Sequence, residues 1–505
     1  MNDEQGTLMV RAGGFIEKFG LWTDEQRRAA SRIREKVRKE KLKLIRLAWS
    51  DPQGASRAKT FTVAGFLNVL ESGATSTVAT ATIDASSARV FSSFTRGGGM
   101  GLDEMTGSPN QIIVPDPLTF RVLPWQPDMG WVLGDEYFSS GKPFHFSTRH
   151  LLRKCLAQLE KHGMRSVVGL EVEWYLFRLA QDHLADENVG NLGLKGRPVS
   201  VVPAEPGYLV HSESNMDRIH APVSAVATML EQMGLPLRSI EKELGPGQVE
   251  CTFAPTDALQ AADNLLLFRT ATRQICSRMG FLASFMCRPG FKNYPSSGWH
   301  LHQSLIEAKS GKNLFTPKAQ GEALSPLGMN YLGGLLRYAI PSTVFANPTV
   351  NGYRRIRANS LAPDRVAWGT DHRGAMLRVL AGPRDPASRI ENRIGEPAAN
   401  PYLYIASQVI TGAEGIAARL DPGSPETDPY AADHPALPKS LPEALEAMER
   451  EPLFRREFGE LFVNYYLKFK RTELNRYETF SKEHAVDKTS DATTEWEQNE
   501  YFDFF

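Results

Sequence analysis

The period of the hydrophobic and polar positions changes along the chain and divides it into three parts. Residues Asp24 to Lys43 are charged and rich in helix formers, which predicts one exposed helix within an N-terminal extension, residues 1–43. Short apolar runs between turn residues follow and predict a small strand-rich domain over 44–145. From 146 to 505 helix-like segments alternate with short strands, and the acidic, aromatic tail 497–505 is expected to dock on them. Together these patterns predict an α+β fold.

Charge and cysteine content narrow the class of protein. Lys plus Arg is 58 and Asp plus Glu is also 58, so no net field attracts nucleic acid or an acidic membrane. The four cysteines form no C-x-x-C pair and are too sparse for a disulfide framework. The first residues lack the pattern of a signal peptide, and no apolar run is long enough to span a membrane. We therefore expect a soluble cytoplasmic protein without nucleic-acid or membrane partners.

Paired acidic residues are the first candidates for chemistry. Strand alternation over 167–176 places Glu171 and Glu173 on one face and the apolar residues on the other. An exposed edge strand would show the same pattern. Glu243 and Glu250 flank a Gly-Pro-Gly turn, whose glycines allow the chain to fold the two acids toward one point.

Two histidines and several arginines follow these acids. His300 and His302 share one face of a predicted strand, where they can bind metal or phosphate, although a lone H-x-H also fits a metal-dependent hydrolase. Guanidinium forks bind carboxylates and phosphates bidentately, although any single one can pair with a surface acid. The arginines are Arg354, Arg355, Arg373, Arg378, Arg389 and Arg393, with Glu391 among them. The whole set indicates divalent metal ions bridging phosphates, as in phosphoryl transfer.

In this order the motifs resemble the glutamine synthetase family, from about Leu44 to Phe505. Residues 50–54, Ser-Asp-Pro-Gln-Gly, resemble the family's loop that reaches into a neighbouring subunit's site. Residues 113–117 resemble its Pro-Asp strand, and 398–402 complete the pattern after Glu391. The resemblance implies a small β-grasp-like N-terminal domain, a glutamine synthetase-type catalytic domain, and a dodecamer of two hexameric rings with sites between subunits.

The resemblance also implies metal ligands and cofactors. The cofactors would be ATP, as a substrate, and two to three Mg²⁺ or Mn²⁺ ions per site. One metal would be held by Glu173, Glu243 and Glu250. The second would be held by Glu171, His300 and Glu391.

The remaining implied roles concern the substrates, ATP and glutamate. The nucleotide phosphates would be bound by His302, Arg373 and Arg378. Glutamate would be bound by Arg355, through its α-carboxylate, and by the backbone of Gly298. Arg393 would contact the transferring phosphoryl group. Asp51 would help remove the proton of the attacking amine, or it caps an Asp-Pro turn.

The chain departs from glutamine synthetases proper on the amine side. Leu361 stands where they carry a glutamate on a flap, and Glu241-Lys242 replaces two histidines before Glu243. A leucine can neither bind an ammonium ion nor remove its proton, whereas an arylamine is neutral and gains from apolar contact. The hypothesis is therefore a hydrophobic, aromatic amine as acceptor, with a γ-glutamyl amide as product, as in the family's anilide-forming branch.

Several alternatives remain open at this stage. Leu361 could be plain packing, and the residues proposed for the acceptor entrance are Val201, Val202 and Tyr208. A polyamine or alkylamine ligase would use further acids, such as Glu205 or Glu213, while a glutamine synthetase would use ammonia. A catalytically silent relative would have lost metal ligands, and all six are present.

Overall fold

The computed structural model describes residues 13–358, 360–431, 433–487 and 490–505, which form two compact units. The first unit comprises the described residues up to Asp51 together with Ser56–Thr82 and Phe91–His150. The second comprises Pro52–Ala55, Ile83–Val90 and Leu151–Phe505. The predicted fold class is confirmed: an N-terminal sheet domain accompanies a large α+β domain. The boundaries predicted after residues 43 and 145 stay predictions.

The first unit is a sheet covered by short helices. Its strands are β1 (Leu44–Ser50), β2 (Ser56–Thr62), β3 (Ala74–Thr77), β4 (Asn110–Pro115), β5 (Arg121–Leu123) and β6 (Gln126–Phe138). Its helices are α1 (Phe15–Lys18), α2 (Asp24–Lys39) and α3 (Val63–Ser72). The strand order is β2-β1-β6-β4-β3, with β5 paired to β6. The pairing of β1 with β6 is parallel, whereas the other pairs are antiparallel.

The predicted N-terminal helix is present as α2, but it is not exposed on all sides. Thr23 and Gln26 form a capping box that starts it: the Gln26 amide donates to Thr23 Oγ1 at 3.2 Å. Ile33 and Val37, four residues apart, are buried in the core that also contains Leu47 of β1. The expectation of an exposed helix was therefore wrong for this face, because its few apolar residues recur at helical spacing.

The second unit is built on a ten-stranded sheet. Its strands are β7 (Met164–Leu179), β8 (Val201–Pro203), β9 (Leu237–Lys242), β10 (Gln248–Phe253), β11 (Thr256–Asp257), β12 (Phe281–Ser284), β13 (Trp299–Glu307), β14 (Trp368–Thr370), β15 (Leu377–Leu380) and β16 (Arg389–Gly395). The main path runs β14-β15-β16-β13-β7-β10-β9, and β8, β11 and β12 also pair with β7. The central position of β7 matters because it carries the first predicted metal ligands.

Helices alternate with these strands along the chain, and some of them pack on the sheet. They are α4 (Thr148–Lys161), α5 (Glu213–Arg218), α6 (His220–Gln232), α7 (Ala258–Ser277), α8 (Pro326–Arg337), α9 (Ala339–Ala346), α10 (Pro401–Ala418), α11 (Leu441–Arg450), α12 (Pro452–Phe458), α13 (Glu460–Glu483) and α14 (Glu495–Tyr501). Helix α7 packs on β7 and β12, and α10 packs on α7, α8 and α9.

The C-terminal tail docks, as predicted. Trp496, Tyr501, Phe502 and Phe505 are all buried. The Phe285 amide donates to the Phe505 carbonyl at 3.1 Å, so the end of the chain adds to the second unit's packing. Among the described residues, no helix has both the length and the apolarity needed to cross a bilayer.

Candidate active site

Strand register gathers four predicted metal ligands around β7. Glu173 of β7 lies opposite Glu250 of β10, and Glu171 lies opposite His300 of β13. The neighbours of Glu171 and Glu173 in β7, among them Val172, are buried on the other face, which confirms the predicted alternation. His300 Nδ1 lies 2.6 Å from Glu171 Oε1. Local alternation and cross-strand pairing together therefore concentrate carboxylates and an imidazole at one place.

The next two strands extend this cluster. His302 of β13 lies opposite Glu391 of β16, which in turn lies opposite Arg378 of β15. His302 Nε2 is 3.1 Å from Glu171 Oε2, and Arg378 Nη1 donates to Glu391 Oε2 at 3.0 Å. Both histidines thus contact Glu171, which confirms that they share a face.

Two sets of three side chains could each hold a metal ion. Within each set, the three ligand atoms lie within 4.8 Å of one another. One set is Glu171, Glu250 and His300, and the other is Glu171, His302 and Glu391. Carboxylate oxygens suit Mg²⁺, and with imidazole they also suit Mn²⁺, so the donor chemistry fits the implied metals. The sets differ from the predicted grouping in that Glu171 belongs to both. Glu173 and Glu243 belong to neither.

Several buried carboxyl groups of the cluster lie close together, and the cost of giving them all a negative charge favours the binding of a cation. Burial raises the pKa of Glu173 to about 8, although the Arg355 guanidinium opposes the shift. Burial, reinforced by repulsion from Glu171 and Glu173, raises the pKa of Glu250 to about 10. Burial likewise raises the pKa of Glu243. A divalent cation would replace the protons that these acids otherwise retain.

Two other members of the cluster, Glu171 and His300, have lowered pKa values. Burial by itself would raise the pKa of Glu171, but hydrogen bonds with His300 and His302 lower it. Burial, together with the positive charge of Arg393, lowers the pKa of His300 to about 4. His300 is therefore a neutral imidazole at neutral pH, which is the form that binds a metal ion.

Gln248, which the sequence analysis did not single out, orients Glu173. Its amide Nε2 donates to Glu173 Oε2 at 2.8 Å, while its Oε1 accepts from the Gly245 amide at 2.8 Å. Gly247 has φ 67°, and a Cβ there would overlap the Leu176 carbonyl, so the turn requires glycine. The only sequence signal for Gln248 was its place directly after this turn.

The predicted glutamate-binding residues meet beside the metal cluster. Arg355 is buried, and its Nη1 donates to the Arg393 carbonyl at 2.9 Å and the Ile394 carbonyl at 3.1 Å. Its Nη2 lies 3.4 Å from His300 Nε2. A Cβ on Gly298 would lie 2.6 Å from that same Nη2, so the Gly298 backbone faces the guanidinium.

The predicted phosphate-binding arginines differ in burial and in their partners. Arg393 is buried and forms an ion pair with Glu391, which also receives the hydrogen bond from Arg378. Arg378 additionally donates from Nε to Asp371 at 3.0 Å. Arg373 lies exposed in the loop between β14 and β15. Arg389, previously assigned no role, donates from Nε to His302 Nδ1 at 3.1 Å and orients that ring.

The remaining predicted site residues lie at the ends of strands or in loops. Asp51 follows β1 in the first unit, is buried, and accepts from Arg57 Nε at 2.8 Å. Val201 begins β8, and Tyr208 lies in the loop after it with φ 61°. Leu361 is 76% exposed and has φ 62°. The roles predicted for these residues stay predictions.

Known proteins are similar to this chain in sequence and fold. The family model described as glutamine synthetase, catalytic domain, matches residues 145–489. A gamma-glutamylanilide synthase from an Acinetobacter species is 44% identical over 493 residues, which span 97% of this chain and 98% of that protein. A glutamate–methylamine ligase from Methyloversatilis universalis is 29% identical over 428 residues, spanning 81% of this chain and 88% of that protein.

A solved structure agrees with these matches. The complex of GmaS with ADP superposes with a TM-score of 0.72 and 25% identity, and the match covers 89% of this chain and 98% of that one. Sequence and fold thus lead to one assignment. The chain belongs to the glutamine synthetase family, and it is an ATP-dependent carbon–nitrogen ligase.

Proposed function

We propose that the protein joins the γ-carboxylate of glutamate to an apolar, aromatic amine and so forms a γ-glutamyl amide. The main support from comparison is the Acinetobacter relative, whose name states that it makes γ-glutamylanilide and which matches nearly the whole chain. The methylamine ligase supports the broader class, a ligase that joins glutamate to an amine. The observation that carries the apolar acceptor is Leu361, an exposed leucine with a positive φ.

The family uses ATP and divalent metal ions, and we assign two to three Mg²⁺ or Mn²⁺ ions to this site. The proposed ligands are Glu171, Glu173, Glu243, Glu250, His300 and Glu391. When bound, the ions neutralise the negative charge that carboxylates and phosphates bring together. The raised pKa values of Glu173 and Glu250 support this assignment, because the same fields favour a bound cation.

Arginines next to the cluster are suited to hold the two anionic substrates. Arg355 would bind the glutamate α-carboxylate with Nη2, since its Nη1 is already used by two backbone carbonyls. Gly298, facing that guanidinium, would leave room for the amino acid beside its backbone. Arg393 would contact the transferring phosphoryl group. His302, Arg373 and Arg378 would bind the nucleotide phosphates.

The reaction would proceed in two steps. A γ-carboxylate oxygen of glutamate attacks the terminal phosphorus of ATP, the bond to ADP breaks, and γ-glutamyl phosphate forms. The amine nitrogen then bonds to the acyl carbon, phosphate leaves, and the nitrogen loses a proton. We assign that proton to Asp51, whose carboxylate is oriented by Arg57.

Leu361 supports an uncharged acceptor. Its side chain is 76% exposed, so it does not pack in the core of this chain, and it is held at φ 62°, which is uncommon for a leucine. An exposed leucine on this loop offers apolar contact and no charge. We assign Val201 and Tyr208 to the entrance of the same acceptor site.

Of the two acids considered for a cationic amine, Glu213 is exposed at the start of α5, whereas Glu205 is already occupied. Its Oε1 lies 3.1 Å from Lys242 Nζ and accepts from the Gly247 amide, and its Oε2 accepts from the Gly207 amide at 2.6 Å. Glu205 is also buried. Glu205 is therefore not available to bind a protonated polyamine, which leaves Glu213 as the acid for that alternative.

The test is an amine panel with Leu361→Glu and the apolar control Leu361→Met. Phosphate release and product mass are measured with aniline, ethylamine, putrescine and ammonia. We expect the natural protein and Leu361→Met to prefer aniline, and Leu361→Glu to lose most of that preference because the new charge favours cations. A natural preference for ammonia or putrescine would refute the arylamine assignment and leave the ligase. A Leu361→Glu variant with unchanged preference would refute the role of Leu361 in choosing the amine.

Assembly remains a proposal taken from the family. We propose a dodecamer of two hexameric rings in which Asp51 reaches a neighbouring subunit's site. Light scattering of the active enzyme tests it, and an active monomer would exclude a role for Asp51 across an interface.

A further inference from the structure

We infer that Lys242 and Glu205 are positioning residues that hold the turn carrying the metal ligands Glu243 and Glu250. The inference rests on the proposed metal site but on no assumption about the amine. Lys242 ends β9 directly before Glu243, and Glu205 follows β8. Each is at most 4% exposed. A buried ion pair persists only where nearly every donor and acceptor is satisfied, so its partners reveal what it holds.

The Lys242 ammonium joins both sides of the Gly-Pro-Gly turn. Its Nζ donates to the Gly245 carbonyl at 2.7 Å and to the Gln248 carbonyl at 3.3 Å, and it also donates to the Glu243 carbonyl. These three carbonyls lie before, within and after the turn. The ammonium has three N–H donors and four acceptors around it, the three carbonyls and Glu205 Oε1, so one donor is shared between two acceptors. Lys242 therefore fixes the turn's entry and exit at one point.

Glu205 fixes the same turn from a second segment of the chain. It accepts from the Gly247 amide inside the turn, while the Tyr208 amide donates to the Leu244 carbonyl at 2.6 Å. A Cβ on Gly207 would lie 2.5 Å from the Pro246 nitrogen, so the two segments run in close contact. The ion pair thus ties residues 205–208 to the turn.

What this arrangement holds is a set of carboxylates. Glu243 precedes the turn, and Gln248 follows it with a hydrogen bond to Glu173 Oε2 at 2.8 Å. Glu250 is two residues further along β10, opposite Glu173. Loosening the turn would therefore displace carboxylates on two strands without removing any of them. Groups that orient metal ligands typically change metal affinity by about 10- to 100-fold when they are lost.

The test is direct binding of Mn²⁺ to the purified full chain. Binding is measured by titration calorimetry and from the electron paramagnetic resonance signal of free Mn²⁺. We expect Lys242→Met and Glu205→Gln to weaken Mn²⁺ binding by about 10- to 100-fold. The matched controls are Lys309→Met and Glu231→Gln, two exposed residues away from the turn, which should bind like the natural protein.

Two further variants separate positioning from folding. Glu205→Asp keeps the charge but withdraws the carboxylate by one methylene, and should still weaken Mn²⁺ binding. The double variant Lys242→Met with Glu205→Gln removes both buried charges and should regain thermal stability without regaining Mn²⁺ affinity, because the contacts to the turn are still missing.

Steady-state kinetics gives an independent readout. In folded variants the Mn²⁺ concentration for half-maximal activity should rise, while KM for glutamate at saturating Mn²⁺ stays within about twofold of the natural value. Mn²⁺ affinity within twofold of natural in Glu205→Asp and in the double variant would overturn the inference. Absence of Mn²⁺ binding by the natural protein would instead refute the proposed metal site, and an unexpected amine preference would affect neither result.

Discussion

Gly298→Ala tests whether the Arg355 guanidinium binds glutamate. The added Cβ would lie 2.6 Å from Arg355 Nη2 and 3.0 Å from Cζ, whereas ordinary contact begins at 3.4 Å, so the guanidinium must retreat by about 0.8 Å. It cannot retreat freely, because Nη1 is bound to the carbonyls of Arg393 and Ile394. Nη2 should therefore lose its hydrogen bond to the glutamate α-carboxylate.

The size of the effect follows from that lost contact. A hydrogen bond to a charged group contributes roughly 1.5–3 kcal/mol, and about 1.4 kcal/mol corresponds to a tenfold change. We expect kcat/KM for glutamate to fall by about 10- to 150-fold, with KM for ATP nearly unchanged. The assay is phosphate release against glutamate concentration at saturating ATP, metal and aniline.

The control is Gly382→Ala, where the nearest atom to an added Cβ, Asp385 Cβ, is 3.8 Å away. This variant should behave like the natural protein. If Gly298→Ala shows a KM for glutamate within twofold of that control, Arg355 does not bind the α-carboxylate through Nη2.

Three further predictions follow from the structure. The metal-free fold retains protons on Glu173 and Glu250, whose raised pKa values of about 8 and 10 exceed the unfolded value of 4.5. Part of its stability should therefore fall as pH rises from about 5, up to about 8 for Glu173 and about 10 for Glu250. Saturating Mn²⁺ should remove this pH dependence and release protons as it binds. The released protons should make the calorimetric binding heat vary with the buffer's ionisation enthalpy, and a heat that is the same in every buffer would contradict the prediction. Glu497→Gln should lower the melting temperature and raise KM for glutamate, because buried Glu497 accepts from Arg354 Nε and Nη2 at 3.1 and 2.9 Å next to Arg355, whereas the exposed Glu495→Gln on the same helix should do neither. Asp51→Asn should slow amide synthesis at least tenfold while γ-glutamyl phosphate, trapped with hydroxylamine, still forms; full amide synthesis would leave Asp51 as a turn cap only.

Part of the site could be predicted because it depends on local periodicity. In an extended strand, residues two apart share a face whatever the strand pairs with, so Glu171 and Glu173 were correctly placed together. The same reasoning placed His300 with His302, and the glycines around Glu243 indicated a tight turn. The order of these motifs also sufficed for the family and the fold class.

Other features depend on which segments meet, and local sequence does not encode that readily. Nothing near Lys242 indicated that the Oε1 of Glu205, 37 positions earlier, would lie 3.1 Å from its Nζ. Whether two distant charged residues form a buried ion pair depends on how the surrounding segments pack. Helix α2 was wrongly expected to be exposed: the helical spacing of Ile33 and Val37 indicated a buried face, but the surface that covers it was set by the fold. The tail was expected to dock, but its contact with Arg354 was not foreseen.

The sequence by itself therefore determined the identities of the candidate ligands, their distribution between strand faces, and membership of the glutamine synthetase family. Only the tertiary structure decided the register that places Glu173 opposite Glu250 and Glu171 opposite His300. It also decided that Glu205 supports the turn instead of binding an amine. The physical reason is that side-chain direction is a property of the local backbone, whereas register and burial are settled by contacts between distant segments.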